Sequence, residues 1–137
     1  MRRAIVGIVM AVLSGSVSVS GRSAEPSIPT KLSHDEAVAI SFKVYGVTPD
    51  EAFFEPQDWN EGDAFAVFEA CSVPHNGCSG WIAINMWTGD PWDAWLCKRL
   101  PGSNVKRELA GIRDRFTKDE LKQYSKLHRL KPPCLGP

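Results

Sequence analysis

Side chains that suit a core recur with two different periods along this chain. Ala37, Ile40, Ser41 and Val44 are spaced by three or four residues, which lines them along one face of a helix. Ahead of them, Ser33-His34-Asp35-Glu36 has the form of a capping box. The serine hydroxyl accepts from the backbone N–H three residues on, and the glutamate reaches back. Gly46 supplies a left-handed stop. The pattern predicts a helix over 34–45. Thr48-Pro49-Asp50-Glu51 repeats the start signal with proline at the first helical position, predicting a short second helix ended by Pro56. From residue 63 the period falls to two. Phe65, Val67 and Cys71 lie on one side of a strand over 63–71, with Ala64, Ala66, Phe68 and Ala70 on the other. A second strand over 80–87 sets Ile82, Ile84 and Met86 opposite Trp81, Ala83, Asn85 and Trp87. After the turn cluster Thr88-Gly89-Asp90-Pro91, a third strand is predicted over 92–98. Short connections make these strands an antiparallel meander. Beyond Pro101-Gly102, Val105, Leu109, Ile112 and Phe116 restore the helical period. Thr117-Lys118-Asp119-Glu120 is another capping box, and Leu121, Tyr124 and His128 continue a stripe that Pro132-Pro133 stops. The expected fold class is α+β: an antiparallel sheet of at least three strands flanked by helices.

The start of the chain has a different pattern. Arg2 and Arg3 precede an apolar run over 4–13, followed by the small residues of 14–21. This is the form of a secretory signal peptide, with cleavage expected near Ser20. The apolar run is about half the roughly 20 residues needed to span a bilayer, and no later segment reads as a transmembrane helix. The expected organisation is a signal peptide over 1–20, an extended segment over 21–32 containing Pro26 and Pro29, and one domain over 33–137. The expected location is the periplasm.

Composition changes this picture only in part. The 137 residues include five Trp and six Phe and are 43% hydrophobic, enough for a packed core. Sixteen Lys and Arg balance sixteen Asp and Glu, which argues against general binding of nucleic acid. The distribution is uneven. Residues 25–93 hold twelve acids against Lys31 and Lys43, whereas residues 94–137 hold eleven bases against four acids. Either the halves pack and partly neutralise each other, or an acidic face meets a basic partner.

Cys71, Cys78, Cys97 and Cys134 all lie beyond the leader, and an even number in a small exported domain reads as two disulfides. Three connectivities are open. Nearness in sequence across a turn favours Cys71 with Cys78, leaving Cys97 with Cys134 to tie down the tail. The segment Cys71-Ser72-Val73-Pro74-His75-Asn76-Gly77-Cys78 joins two strands. Pro74 fixes φ, and Asn76-Gly77 readily adopts positive φ. A bridged ring of this size carries one imidazole on a short, stiff projection.

Here the chain resembles the Ivy family, inhibitors of vertebrate lysozyme. The resemblance runs over 65–87. It consists of the strand Phe65-Ala66-Val67-Phe68-Glu69-Ala70-Cys71, the Pro74-His75 pair, Cys78, and the strand Trp81-Ile82-Ala83-Ile84-Asn85-Met86-Trp87. The family loop normally holds four residues between its cysteines. This one holds six, with Val73 and Gly77 as the extras. The resemblance implies a periplasmic inhibitor whose loop enters the cleft of a C-type lysozyme. His75 would meet the catalytic carboxylates, and Val73, Pro74, Asn76 and Gly77 would shape the tip. The implied partner is a basic muramidase; whether the chain also forms a homodimer is left open by the sequence.

Other readings use the same residues. Cys71, His75 and Cys78 could be metal ligands, but bridged cysteines offer no thiolates, so no metal or cofactor is expected. Trp81, Trp87, Trp92 and Trp95 could form a sugar-stacking platform for peptidoglycan, although such residues more often fill cores and hairpins. Restraint of the cell's own lytic transglycosylases is a further alternative. Lys118, Lys122, Lys126, Arg129 and Lys131 read as a solvated helix face. No Gly-x-Ser-x-Gly, His-Glu-x-x-His or phosphate-binding glycine loop is present, so catalysis is not expected.

Overall fold

A computed structural model describes residues 28–58 and 63–136. The predicted signal peptide over 1–20 and most of the extended segment lie outside the described residues. The fold is α+β, an antiparallel five-strand meander with three helices and two disulfides. Helix α1 spans His34–Tyr45, followed by strands β1 (Ala52–Pro56), β2 (Phe65–Ser72), β3 (Gly77–Asn85), β4 (Pro91–Asp93) and β5 (Lys98–Arg99). A 3₁₀ turn over Ser103–Val105 leads into α2 (Lys106–Arg113), and α3 (Lys118–Leu127) completes the described elements. Sheet order is sequence order, β1 to β5. No described helix is long and apolar enough to cross a membrane.

The two outer capping boxes form as expected. Ser33 Oγ accepts from Glu36 N–H while the Glu36 carboxylate accepts from Ser33 N–H, and Gly46 takes φ 66° at the C-cap. Thr117 and Glu120 repeat the exchange at α3. The third box corrects the expectation. Thr48 and Glu51 do pair, but only one turn forms before the chain extends as β1 instead of a second helix. The reason is tertiary. Phe54 enters the core edge-on to Phe42 at 4.9 Å, and Ala52 to Pro56 pair along β2. Burial of one ring and a full ladder outweigh a local start signal.

The helices cover one face of the sheet. Phe68, Ile82 and Ile84 point into that layer beside Ala37, Ile40, Val105, Ile112, Phe116 and Leu127. In α3 Tyr124 packs against the core as predicted, edge-on to Phe116, but the fully buried position is Leu127 and Leu121 is exposed. The opposite, outer face carries Phe65, Ala83, Trp92 and Ala94, with Val67, Trp81 and Leu130 packed against them. The tail reaches this face, where Leu135 N–H donates to Ala94 C=O and Cys134 is bonded to Cys97. The extended segment also joins the core, since Lys31 and Leu32 N–H both donate to Met86 C=O and Trp87 Nε1–H donates to Ile28 C=O.

The predicted third strand over 92–98 is divided. Asp93 Oδ1 accepts from the N–H groups of Trp95 and Leu96, which turns the chain, and Cys97 takes φ 55°. β4 and β5 are the short arms of that turn. The β3–β4 connection is organised by Asn85, a fully buried residue that pattern reading did not single out. Its amide donates to Leu127 C=O at the end of α3, and its Oδ1 accepts from Trp87 and Thr88 N–H.

Candidate functional site: a disulfide-closed hairpin tip

β2 and β3 run antiparallel with Phe68 opposite Ile82 and Ala70 opposite Gly80. Between Ala70 and Cys71 the register shifts, so that Cys71 faces Cys78 and Ser72 faces Gly77. The bulge increases local twist and re-aims the last rungs of the hairpin. Cys71 and Cys78 are bonded, with Cα atoms 3.9 Å apart. One paired rung therefore lies beyond the bridge, and only residues 73–76 form the turn. Asn76 takes φ 47°, as the turn requires. Gly77 does not take a positive φ, contrary to the expectation for the Asn76-Gly77 pair; it opens β3 instead. Val73 N–H donates to Glu51 C=O, which ties the turn to the segment before β1.

Val73, Pro74, His75, Asn76 and Gly77 are all exposed. The His75 ring makes no hydrogen bond or ion pair with any described residue. Beneath this tip Cys71 is buried and the sheet is anchored by Phe68, so an exposed imidazole stands on a rigid base. The bridge narrows the conformations of an eight-residue ring, worth about 2.5 kcal/mol in unfolded-state entropy. An ordered loop also loses less freedom when it docks.

The surroundings of the tip are acidic. Glu55 on β1 is the direct cross-strand partner of Glu69 on β2. Their carboxylates cluster with the two bonded sulfurs within 4.8 Å. The sulfurs are joined to each other and offer no thiolate, so this group does not make a thiolate metal site. Glu51, beside the loop anchor, has its carboxyl held below the usual range by the Thr48 backbone N–H and hydroxyl.

The tryptophans do not form one platform. Trp87 lies in the helix-side core, and Trp92 is 7% exposed on the other face, with the Arg99 guanidinium 5.2 Å from its ring centre. Of the four tryptophans considered for a platform, Trp81, half-buried, and Trp95, 50% exposed, remain available to a ligand. The basic C-terminal stretch is a solvated face, with Lys118, Lys122, Lys126, Arg129 and Lys131 exposed.

No family model matches the chain, and no curated protein matches it. A chain from a solved type VI secretion system effector-immunity complex of Pseudomonas protegens is 19% identical, with a TM-score of 0.47. The match covers 73% of this chain and 93% of that one. That likeness is too distant to carry a function across.

Proposed function

We propose that this protein is a non-catalytic, periplasmic inhibitor of a lysozyme-type muramidase, acting by insertion of the 71–78 hairpin into the enzyme's cleft. The observation that carries the reading is an exposed imidazole, bonded to no described neighbour, at the tip of a disulfide-closed turn. The resemblance of 65–87 to the Ivy family supplies the class of target.

The chemistry is direct. Lysozyme cleaves with one protonated carboxylic acid and one ionised carboxylate. An imidazole placed between them can hydrogen-bond both. When protonated, it favours the ionised form of the acid and so removes the proton that the leaving group needs. Pro74 and Asn76 set the path of the turn, and the bridge below them keeps the ring from folding back. The acidic surface around Glu51, Glu55 and Glu69 suits approach to a basic enzyme.

The test is a titration against a panel of C-type lysozymes acting on cell walls. Inhibition near one-to-one stoichiometry is expected. His75→Ala is expected to weaken it tenfold or more while leaving the thermal midpoint within a degree or two, because an exposed side chain contributes little to stability. Absence of inhibition by the wild-type protein across the panel would reject the proposal.

A further inference from the structure

The outer face of the sheet is covered unevenly. The C-terminal tail, with Lys131, Pro133 and Leu135, walls a recess of about 530 Å³ that Phe65, Val67 and Trp81 also line. Nearer the hairpin tip, Phe53 is 42% exposed, and Glu55 and Cys78 are also exposed. The same end has an open strand edge. Pairing of β3 with β4 begins at Ile82, extended by one bond from Ala94 N–H to Trp81 C=O. Residues 77–80 therefore have β2 on one side and, among the described residues, no strand on the other. Between this free stretch and the 94–97 turn lies a recess of about 390 Å³, lined by Glu69, Ser79, Gly80, Trp81, Asp93 and Trp95 among others.

Among the described residues no cation compensates the charge of this recess. Glu69 stands directly opposite Glu55, an arrangement that disfavours pairing of the strands. No Lys or Arg of the described residues pairs with either carboxylate. Asp93 Oδ1 already accepts from two backbone N–H groups, whereas the Glu69 carboxylate makes no hydrogen bond or ion pair with a described residue, so Glu69 is the less engaged of the two. Trp81 and Trp95 line the recess beside it, and indole rings attract cations.

We propose that this edge seats an extended segment of the partner protein, added beside residues 77–80, with an arginine or lysine side chain in the recess between Glu69 and the rings of Trp81 and Trp95. Strand addition supplies affinity through main-chain hydrogen bonds, and the acidic, aromatic recess supplies the selection for a cation. A guanidinium suits it best, because it can pair with a carboxylate while stacking on an indole. That the muramidase provides this segment rests on the function proposed above; the preference for a cationic strand does not.

The test therefore uses a probe independent of lysozyme. The ¹⁵N-labelled protein is titrated with an extended pentapeptide, Val-Thr-Arg-Thr-Val, and with its glutamate-centred counterpart. The arginine peptide is expected to shift the amides of residues 77–81 and the indole N–H signals of Trp81 and Trp95. Glu69→Gln is expected to weaken that binding fivefold or more, with a smaller loss for Glu55→Gln. Equal response to the glutamate peptide, an unchanged affinity in Glu69→Gln, or shifts confined to other regions would overturn the proposal. Self-association of the protein through residues 77–81 would overturn it too, by assigning the edge to a second copy. If the peptide binds as expected but no lysozyme is inhibited, the function proposed above fails and the cationic edge stands; the reverse result separates them the other way.

Discussion

His75 and Glu36 show how differently two polar side chains can serve one small fold. The imidazole is exposed and bonded to no described residue, and its role in the proposed function is contact with a partner. Glu36 is held inside a local network. Its carboxylate accepts from Ser33 N–H at 2.8 Å and from Arg115 Nη2 at 2.6 Å, and Arg115 Nη1 also donates to Lys31 C=O. The Arg115 guanidinium, with the cap bonds, draws the Glu36 carboxyl down from the ordinary 4.5 to about 2. A folded-state value below the unfolded one stabilises the fold above the unfolded value and is lost as pH falls through the folded one. The contribution is therefore complete above about pH 4.5 and fades between there and pH 2. Thermal unfolding of Arg115→Gln against wild type should show a deficit at pH 7 that shrinks across this window. Added salt should narrow the deficit as well, because both side chains are partly solvated.

At the scale of elements, the two capping boxes that mature into helices have amphipathic sequence behind them, and the one that fails has Phe53-Phe54 instead. A cap is worth about 1 kcal/mol, less than the burial of one phenylalanine, so packing partners decide whether a helix or a strand grows from it. The connections are equally constrained. Gly89 takes φ 77°, and a Cβ there would lie 2.6 Å from Ile112 Cδ1 and 2.8 Å from Leu109 Cδ2. Gly89→Ala should thus lose about 1–3 kcal/mol through backbone strain and displacement of α2, readable as a lower denaturant midpoint. A variant as stable as wild type would mean that the β3–β4 turn and α2 move apart freely. Asn85 acts in the same region from the opposite side, tying that turn to the end of α3.

Across the whole molecule, the charge asymmetry is only partly resolved by packing. Glu36–Arg115 and Asp90–Arg99 pair an acid of the first half with a base of the second. Lys31–Glu120 and Lys43–Glu108 run the other way, consuming the only two bases of the acidic stretch. Among the described residues the pairing thus leaves Glu55 and Glu69 without a cation at the hairpin end, which is where the proposed partner docks. The buried carboxylate of Asp90 accepts from Thr88 Oγ1 and lies 2.6 Å from His128 Nδ1, so it joins the β3–β4 turn to the end of α3. The two disulfides divide their work in a way that can be tested. Cys97 and Cys134 stand 37 positions apart in the sequence, and Cys71 and Cys78 only 7. Chain entropy gives about 4 kcal/mol for the long loop and about 2.5 for the short one. Paired alanine replacement of Cys97 and Cys134 should therefore cost more stability but leave lysozyme inhibition intact. Replacement of Cys71 and Cys78 should cost less stability and weaken inhibition several-fold. The opposite ordering in the inhibition assay would place the active surface on the tail.

Local and short-range information in the sequence determined helix α1, both outer capping boxes, the β2–β3 hairpin, the class of the fold and the turn that carries His75. These depend on periodicity, cap chemistry and cysteines close along the chain, all of which act over a few residues. The tertiary structure alone decided that Ala52–Pro56 is a strand, that Trp87 and Trp92 are buried on opposite faces, and that residues 77–80 have no second strand beside them among the described residues. It also set Glu55 opposite Glu69 across the sheet. Each of those outcomes turns on which distant segment competes for a given face or backbone edge, and that competition is settled by burial and ladder hydrogen bonds between residues far apart in the chain.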